Sequence, residues 1–145
     1  MQISVTINNS SSEEIALFLR DNAAAFNPPF DRSVDIVSYA QKLFDYAVRF
    51  ELRNEGRIVA LLASYINTEG CMAYVPYVCV EKIYNGCHFG QRLLEELYRY
   101  CQNKGVESIR LEVRQNNVRA VDFYEKQGFE SEGVENDKLQ MVKML

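Results

Sequence analysis

Residues 47–80 read as three strands in immediate succession, and no other feature constrains the fold as much. "AVRFELR" alternates apolar and polar residues strictly, "NEG" turns the chain, and "RIVALLASYIN" runs back as a more apolar, more buried strand. "NTEG" turns again before a third segment, "CMAYVPYVCV". Turns this short join antiparallel neighbours, so the middle of the chain is a meander. Pro76 lies inside the third strand. Proline has no N–H to give a ladder and belongs at an edge, a bulge or a split.

The flanks switch period. Before the meander, "QISVTI" alternates as a first strand, "SSSEE" offers a Ser-x-x-Glu capping box, and Ile15, Phe18, Leu19, Ala23 and Phe26 recur at helical spacing until Asn27-Pro28-Pro29. A second helix is expected from near Asp31 or Ser33, with Ile36, Val37, Ala40, Leu43, Phe44 and Ala47 on one face. After the meander, Leu93, Leu94, Leu97, Tyr98 and Cys101 form a third stripe that stops at Lys104-Gly105. "SIRLEV" is a strand, "NNVRAVDFYEKQG" a helix opened by an asparagine cap and closed on glycine, and "FESEGV" and "LQMVKML" are two last strands. The order β-α-α-β-β-β-α-β-α-β-β makes an α/β (α+β) fold: a mixed, mostly antiparallel central sheet flanked by about four helices. The strands on either side of the third helix run parallel through a right-handed crossover.

A chain of 145 residues, 48% hydrophobic and 25% charged, suits one domain over 1–145. The net charge of −4 and the lack of a basic run argue against a nucleic-acid surface. "MQISVTINNSSSEE" has neither the basic start of a signal peptide nor a long apolar run, so no membrane partner and a cytoplasmic location are expected. Cys71, Cys79, Cys87 and Cys101 form no Cys-x-x-Cys pair, and no metal site is expected.

The loop "NGCHFG" leaves the C-terminal end of a strand and enters a helix. Helix N-termini offer unpaired N–H groups and partial positive charge to phosphate-like anions, and glycines let the backbone come close. The Gly86/Gly90 spacing alone is a weak signal, without the Lys-Ser/Thr of a P-loop. With "QRLLEEL" after it and "LEVRQNNVRAVDFYEKQGF" about twenty residues on, the loop resembles the GNAT acetyltransferase superfamily. The first motif matches that family's acetyl-CoA loop and the second its following strand and helix. The likeness covers nearly the whole chain and is specific in the C-terminal half. Asn85 stands where Arg or Gln is usual, His88 where a middle glycine is usual, and Cys87 where Lys or Arg is frequent.

The resemblance implies acetyl-CoA as co-substrate, held chiefly by main-chain N–H groups over Asn85, Gly86, Cys87, His88, Phe89, Gly90 and Gln91. It implies that the strand carrying Val78, Cys79 and Val80 is irregular and offers its backbone to pantetheine. Asn117 reaches the cofactor in many relatives, though as a plain helix cap it needs no ligand. Tyr124 is the implied general acid beside the cofactor sulfur, and packing under the helix end near Gly128 is its structural alternative. His88 reads as solvent-facing or phosphate-side rather than catalytic, provided its backbone avoids the glycine-only region. Glu81, Glu112 and Tyr74 lie near the right strands, but none is singled out as the base. Cys79 and Cys87 are set aside as nucleophiles, because no Cys-His pairing exists and the family transfers acetyl directly.

The expected function is therefore acetyl transfer from acetyl-CoA to a primary amine of a small molecule. A protein amine is the runner-up, although "ESEGVENDKLQ" lacks the Arg/Tyr-rich stretch that such relatives carry. A non-catalytic acyl-CoA-binding regulatory domain is the rival of another class, motivated by Asn85 and His88. A homodimer is compatible with each.

Overall fold

A computed structural model describes residues 1–145. It is a mixed α/β structure with a seven-stranded, mostly antiparallel sheet in the order β1-β2-β3-β4-β5-β7-β6, and five helices. The chain divides into two compact units, Met1–Ser64 with Tyr77–Glu96, and Tyr65–Pro76 with Leu97–Leu145.

In the first unit, β1 (Ile3–Ile7) pairs antiparallel with β2 (Val48–Asn54), and β2 with β3 (Arg57–Asn67). Helix α1 (Ser12–Asp21) starts at the capping box seen in the sequence: Ser11 accepts from Glu14 N–H, and the Glu14 side chain accepts from Ser11 N–H. It ends five residues earlier than its apolar spacing predicts. Asn22 donates both its N–H and its side-chain amide to the Phe18 carbonyl, and this local bonding diverts the chain into a 3₁₀ turn at Ala23–Ala25. The next helix also differs from expectation. A single turn, α2 (Phe30–Ser33), comes first, and α3 (Ile36–Tyr46) starts only where Asp35 caps Ser38 N–H. Ile15, Phe18 and Leu19 of α1 and Ile36, Ala40 and Leu43 of α3 are buried where these helices pack together. Burial of each large side chain stabilises by about 1.5–3 kcal/mol.

The polar half of the β2 alternation is buried as well. Glu51 is wholly enclosed and accepts from the hydroxyls of Thr6 (2.7 Å) and Ser10 (2.6 Å) and from Asn9 N–H. Arg49 donates to the carbonyls of Phe44, Ala47 and Ser10, and Arg53 pairs with Glu14 at 2.9 Å. These bonds lock the connection between β1 and α1, and they satisfy the charges that burial would otherwise penalise.

In the second unit, residues 72–76, the first part of β4 (Met72–Val80), run parallel to β5 (Ser108–Arg114), with Met72–Val75 opposite Ser108–Leu111. That is the parallel pair expected around the third helix, α4 (Phe89–Asn103). Gly105, at φ +73°, closes α4, with Val106 N–H returning to the Cys101 carbonyl. Helix α5 (Val118–Lys126) follows β5, and a hairpin of β6 (Glu130–Glu135) and β7 (Lys138–Met144) turns at Asn136-Asp137, both at positive φ. No helix is long and apolar enough to cross a membrane.

Candidate functional site

The loop between β4 and α4 belongs to the first unit, as do Val78, Cys79 and Val80 at the end of β4. It is built on a 3₁₀ turn, Lys82–Tyr84. Asn85 N–H bonds the Lys82 carbonyl at 3.0 Å, and Cys87 N–H bonds the Tyr84 carbonyl at 3.1 Å. Gly86 follows the turn at φ +87°, a conformation natural only to glycine. His88 sits at φ +61°, in the left-handed region where histidine is uncommon but tolerated. Its carbonyl accepts the first helical bond, from Arg92 N–H at 3.1 Å, so it occupies the cap position of α4. Its side chain is exposed, as are those of Asn85 and Cys87.

One pair of rings anchors the loop. Tyr84 stacks on Phe89 with centroids 5.3 Å apart, and its hydroxyl accepts from the Asn54 amide at 2.9 Å. The sequence reading missed Tyr84. Its only signal is an aromatic five residues before Phe89 across a glycine turn.

Five consecutive-region amides result from this geometry. The N–H groups of Gly86, His88, Phe89, Gly90 and Gln91 meet no protein acceptor, while that of Cys87, expected to join them, is spent on Tyr84. Gly90 is already in the first turn of α4 rather than in the loop. The Gln91 side chain bonds Glu95 along the helix. Free donors at the head of a fifteen-residue helix suit an anion with several oxygens, such as a diphosphate. The loop therefore fits the acidic part of a coenzyme A molecule.

Cys79 is buried, and burial pushes its thiol up to about 11, with the nearby Tyr77 opposing. A thiol that stays protonated at neutral pH is no nucleophile. Glu81 is tied to Arg57 in an ion pair of 2.7 Å. No cluster of three or more His, Cys, Asp or Glu side chains able to hold a metal occurs.

The second unit holds Asn117 and Tyr124. Asn117 caps α5 by accepting from Ala120 N–H at 3.2 Å through its Oδ1, a bond that does not engage its amide nitrogen. Helix α5 ends in a Schellman motif: Phe129 N–H returns to the Tyr124 carbonyl, Gly128 N–H to that of Glu125, and the rings of Tyr124 and Phe129 pack 5.6 Å apart. Burial, with the neighbouring Tyr98, holds the Tyr124 hydroxyl protonated well above the usual tyrosine range. Tyr74 donates to Glu112 at 2.8 Å and Gln140 donates to the same carboxylate at 2.7 Å. The Gln140 bond leads in lowering the Glu112 pKa.

The family profile described as "Acetyltransferase (GNAT) family" matches residues 16–129. No curated protein matches the sequence. Among solved structures, the ribosomal-protein-S18-alanine N-acetyltransferase of Escherichia coli superposes with a TM-score of 0.79 at 21% identity, covering 99% of this chain and 94% of its own. The PaiA N-acetyltransferase of Thermoplasma acidophilum, in complex with coenzyme A, gives 0.81 at 18% identity, with both chains covered in full (100%). An aminoglycoside 6′-acetyltransferase type Ii gives 0.80 at 17%, covering 99% of this chain and 97% of its own. Identities this low speak for the fold alone.

Proposed function

We propose that this chain, which belongs to the acetyltransferase (GNAT) family, acts over residues 1–145 as a single domain that acetylates the primary amine of a small molecule. Membership makes it an acetyl-CoA-dependent N-acetyltransferase; the acceptor class and the residue roles are our reading. The observation that carries it is the row of unpaired N–H groups at Gly86, His88, Phe89, Gly90 and Gln91.

Acetyl-CoA supplies an activated thioester: the amine nitrogen bonds its carbonyl carbon, the carbon–sulfur bond breaks, and the sulfur leaves with a proton while the amine loses one. The five amides hold the diphosphate through charge-assisted bonds, which the neutral Asn85 side chain supplements weakly in place of the usual cation. The backbone of Val78, Cys79 and Val80 lies along the pantetheine, and the Asn117 amide donates to the cofactor. Tyr124 acts on the leaving sulfur as a neutral hydrogen-bond donor. Its raised pKa makes full proton transfer to a thiolate, with a reference pKa of about 8.5, uphill. Thiol release from acetyl-CoA with a library of small amines tests this reading. Turnover with several of them is expected; turnover only with peptide N-termini would reject the small-molecule acceptor.

A further inference from the structure

Tyr77 is only 2% exposed, and its hydroxyl has no hydrogen-bond partner. It lies beside the Cys79 thiol without meeting hydrogen-bond geometry. Buried polar groups are nearly always satisfied, because leaving one unpaired forfeits the bonds it made to water. Such a hydroxyl in a native fold asks for a partner that arrives from outside.

What surrounds it is aromatic. Phe26 and Phe30 lie 5.5 and 5.3 Å from the Tyr77 ring, centroid to centroid, and 5.1 Å from each other. Tyr39 of α3 stands edge-on to Phe30 at 5.1 Å. Phe26, Phe30 and Tyr39 are each half-buried, so the cluster opens to solvent rather than closing as core. The segment that presents the two phenylalanines is a 3₁₀ turn, two prolines and a one-turn helix, and neither short helix has a side-chain cap. Tyr77 also immediately precedes Val78–Val80, the strand end assigned above to acetyl-CoA.

We propose that Phe26, Phe30, Tyr39 and Tyr77 seat the aryl end of an arylalkyl primary amine, with the Tyr77 hydroxyl bonding a polar atom of that acceptor. The inference rests on the acetyltransfer reading and names its substrate class. Ring faces and edges pack favourably against a further aryl ring. The four side chains carry no carboxylate, so the seat has no ion-pair partner for the second charge of a polyamine. The neutral state of Tyr77, held by burial, keeps its hydroxyl available as donor or acceptor.

The test measures thiol release for 2-phenylethylamine and tyramine against putrescine and spermidine, in wild type and Tyr77→Phe, alongside acetyl-CoA titration and thermal melts. The arylalkylamines are expected to exceed the polyamines at least about tenfold in kcat/KM. Tyr77→Phe should lower kcat/KM for the better arylalkylamine by about five- to thirtyfold, the worth of one lost hydrogen bond to a polar or charged group. Acetyl-CoA affinity should hold, and Tm should hold or rise, because the variant removes an unsatisfied hydroxyl. Preference for polyamines, or unchanged efficiency in Tyr77→Phe, overturns the aryl seat while leaving acetyltransfer intact. Absence of acetyl-CoA binding, or of thiol release with every amine, overturns both readings.

Discussion

Tyr124 is asked to do two jobs with one side chain. Its ring packs on Phe129 to close α5, and under the proposed function its hydroxyl, kept neutral by burial, donates to the leaving sulfur. The two separate in Tyr124→Phe, which keeps the ring and the Schellman contacts. Turnover should fall by about 10²-fold, the low end for a positioned acid, because a thiolate is already a tolerable leaving group. Acetyl-CoA affinity should stay within about twofold, since a bond made only in the transition state does not help the ground state. Steady-state kinetics beside calorimetric titration decide it; unchanged turnover with the chemical step limiting would leave Tyr124 a packing residue.

At the scale of elements, the start of α4 separates backbone from side chain. Gly90 lies in the first helical turn without a positive φ, where proline is tolerated, whereas Gly86 at φ +87° is out of reach of proline's fixed negative φ. Gly90→Pro should therefore keep the fold, by circular dichroism, yet weaken acetyl-CoA binding by roughly 1.5–3 kcal/mol through one lost N–H to phosphate. His88→Gly keeps its N–H and relieves a left-handed conformation that costs about 1–2 kcal/mol, so stability should rise with binding unimpaired. Equal weakening in both variants would make the imidazole a ligand in its own right. Local rules made much of this legible. Ser11 and Glu14, Gly105, Asn117 and Gly128 announce caps and stops that depend on a few adjacent residues. What stayed hidden depends on distant partners. Asn22 ends α1 by a choice between competing bonds that spacing does not reveal. Arg49, Glu51 and Arg53 look like a solvent face until Thr6, Asn9, Ser10 and Glu14 fold over them. At the site, the glycines and the helix start were readable. That Cys87 loses its N–H to Tyr84 was not, because it follows from the turn's geometry.

Across the whole molecule, buried acids set the pH range of stability. Burial raises Cys79 and Cys101 from 9.0 to about 11 and lifts Tyr77 and Tyr124 above 10.0. Each of these groups holds its proton more tightly folded than unfolded. Their contribution is thus constant below about pH 9 and is lost as pH climbs through the folded values. On the acid side, Glu14, hydrogen-bonded by Arg53, and Glu112, hydrogen-bonded by Gln140, have lowered values, so their contribution fades as pH falls below 4.5. Thermal melts across a pH series should show a plateau between these limits; a Tm unchanged up to pH 11 would contradict the burial of the thiols and phenols. The proposed function turns, however, on five backbone amides, rather than a cationic side chain, holding the diphosphate of the cofactor. Amide resonances followed during a coenzyme A titration of the ¹⁵N-labelled protein test it most directly. Gly86, His88, Phe89, Gly90 and Gln91 should shift together and saturate with one affinity, and Cys87, already bonded to Tyr84, should shift least. Saturable binding that leaves those five resonances in place would contradict the account.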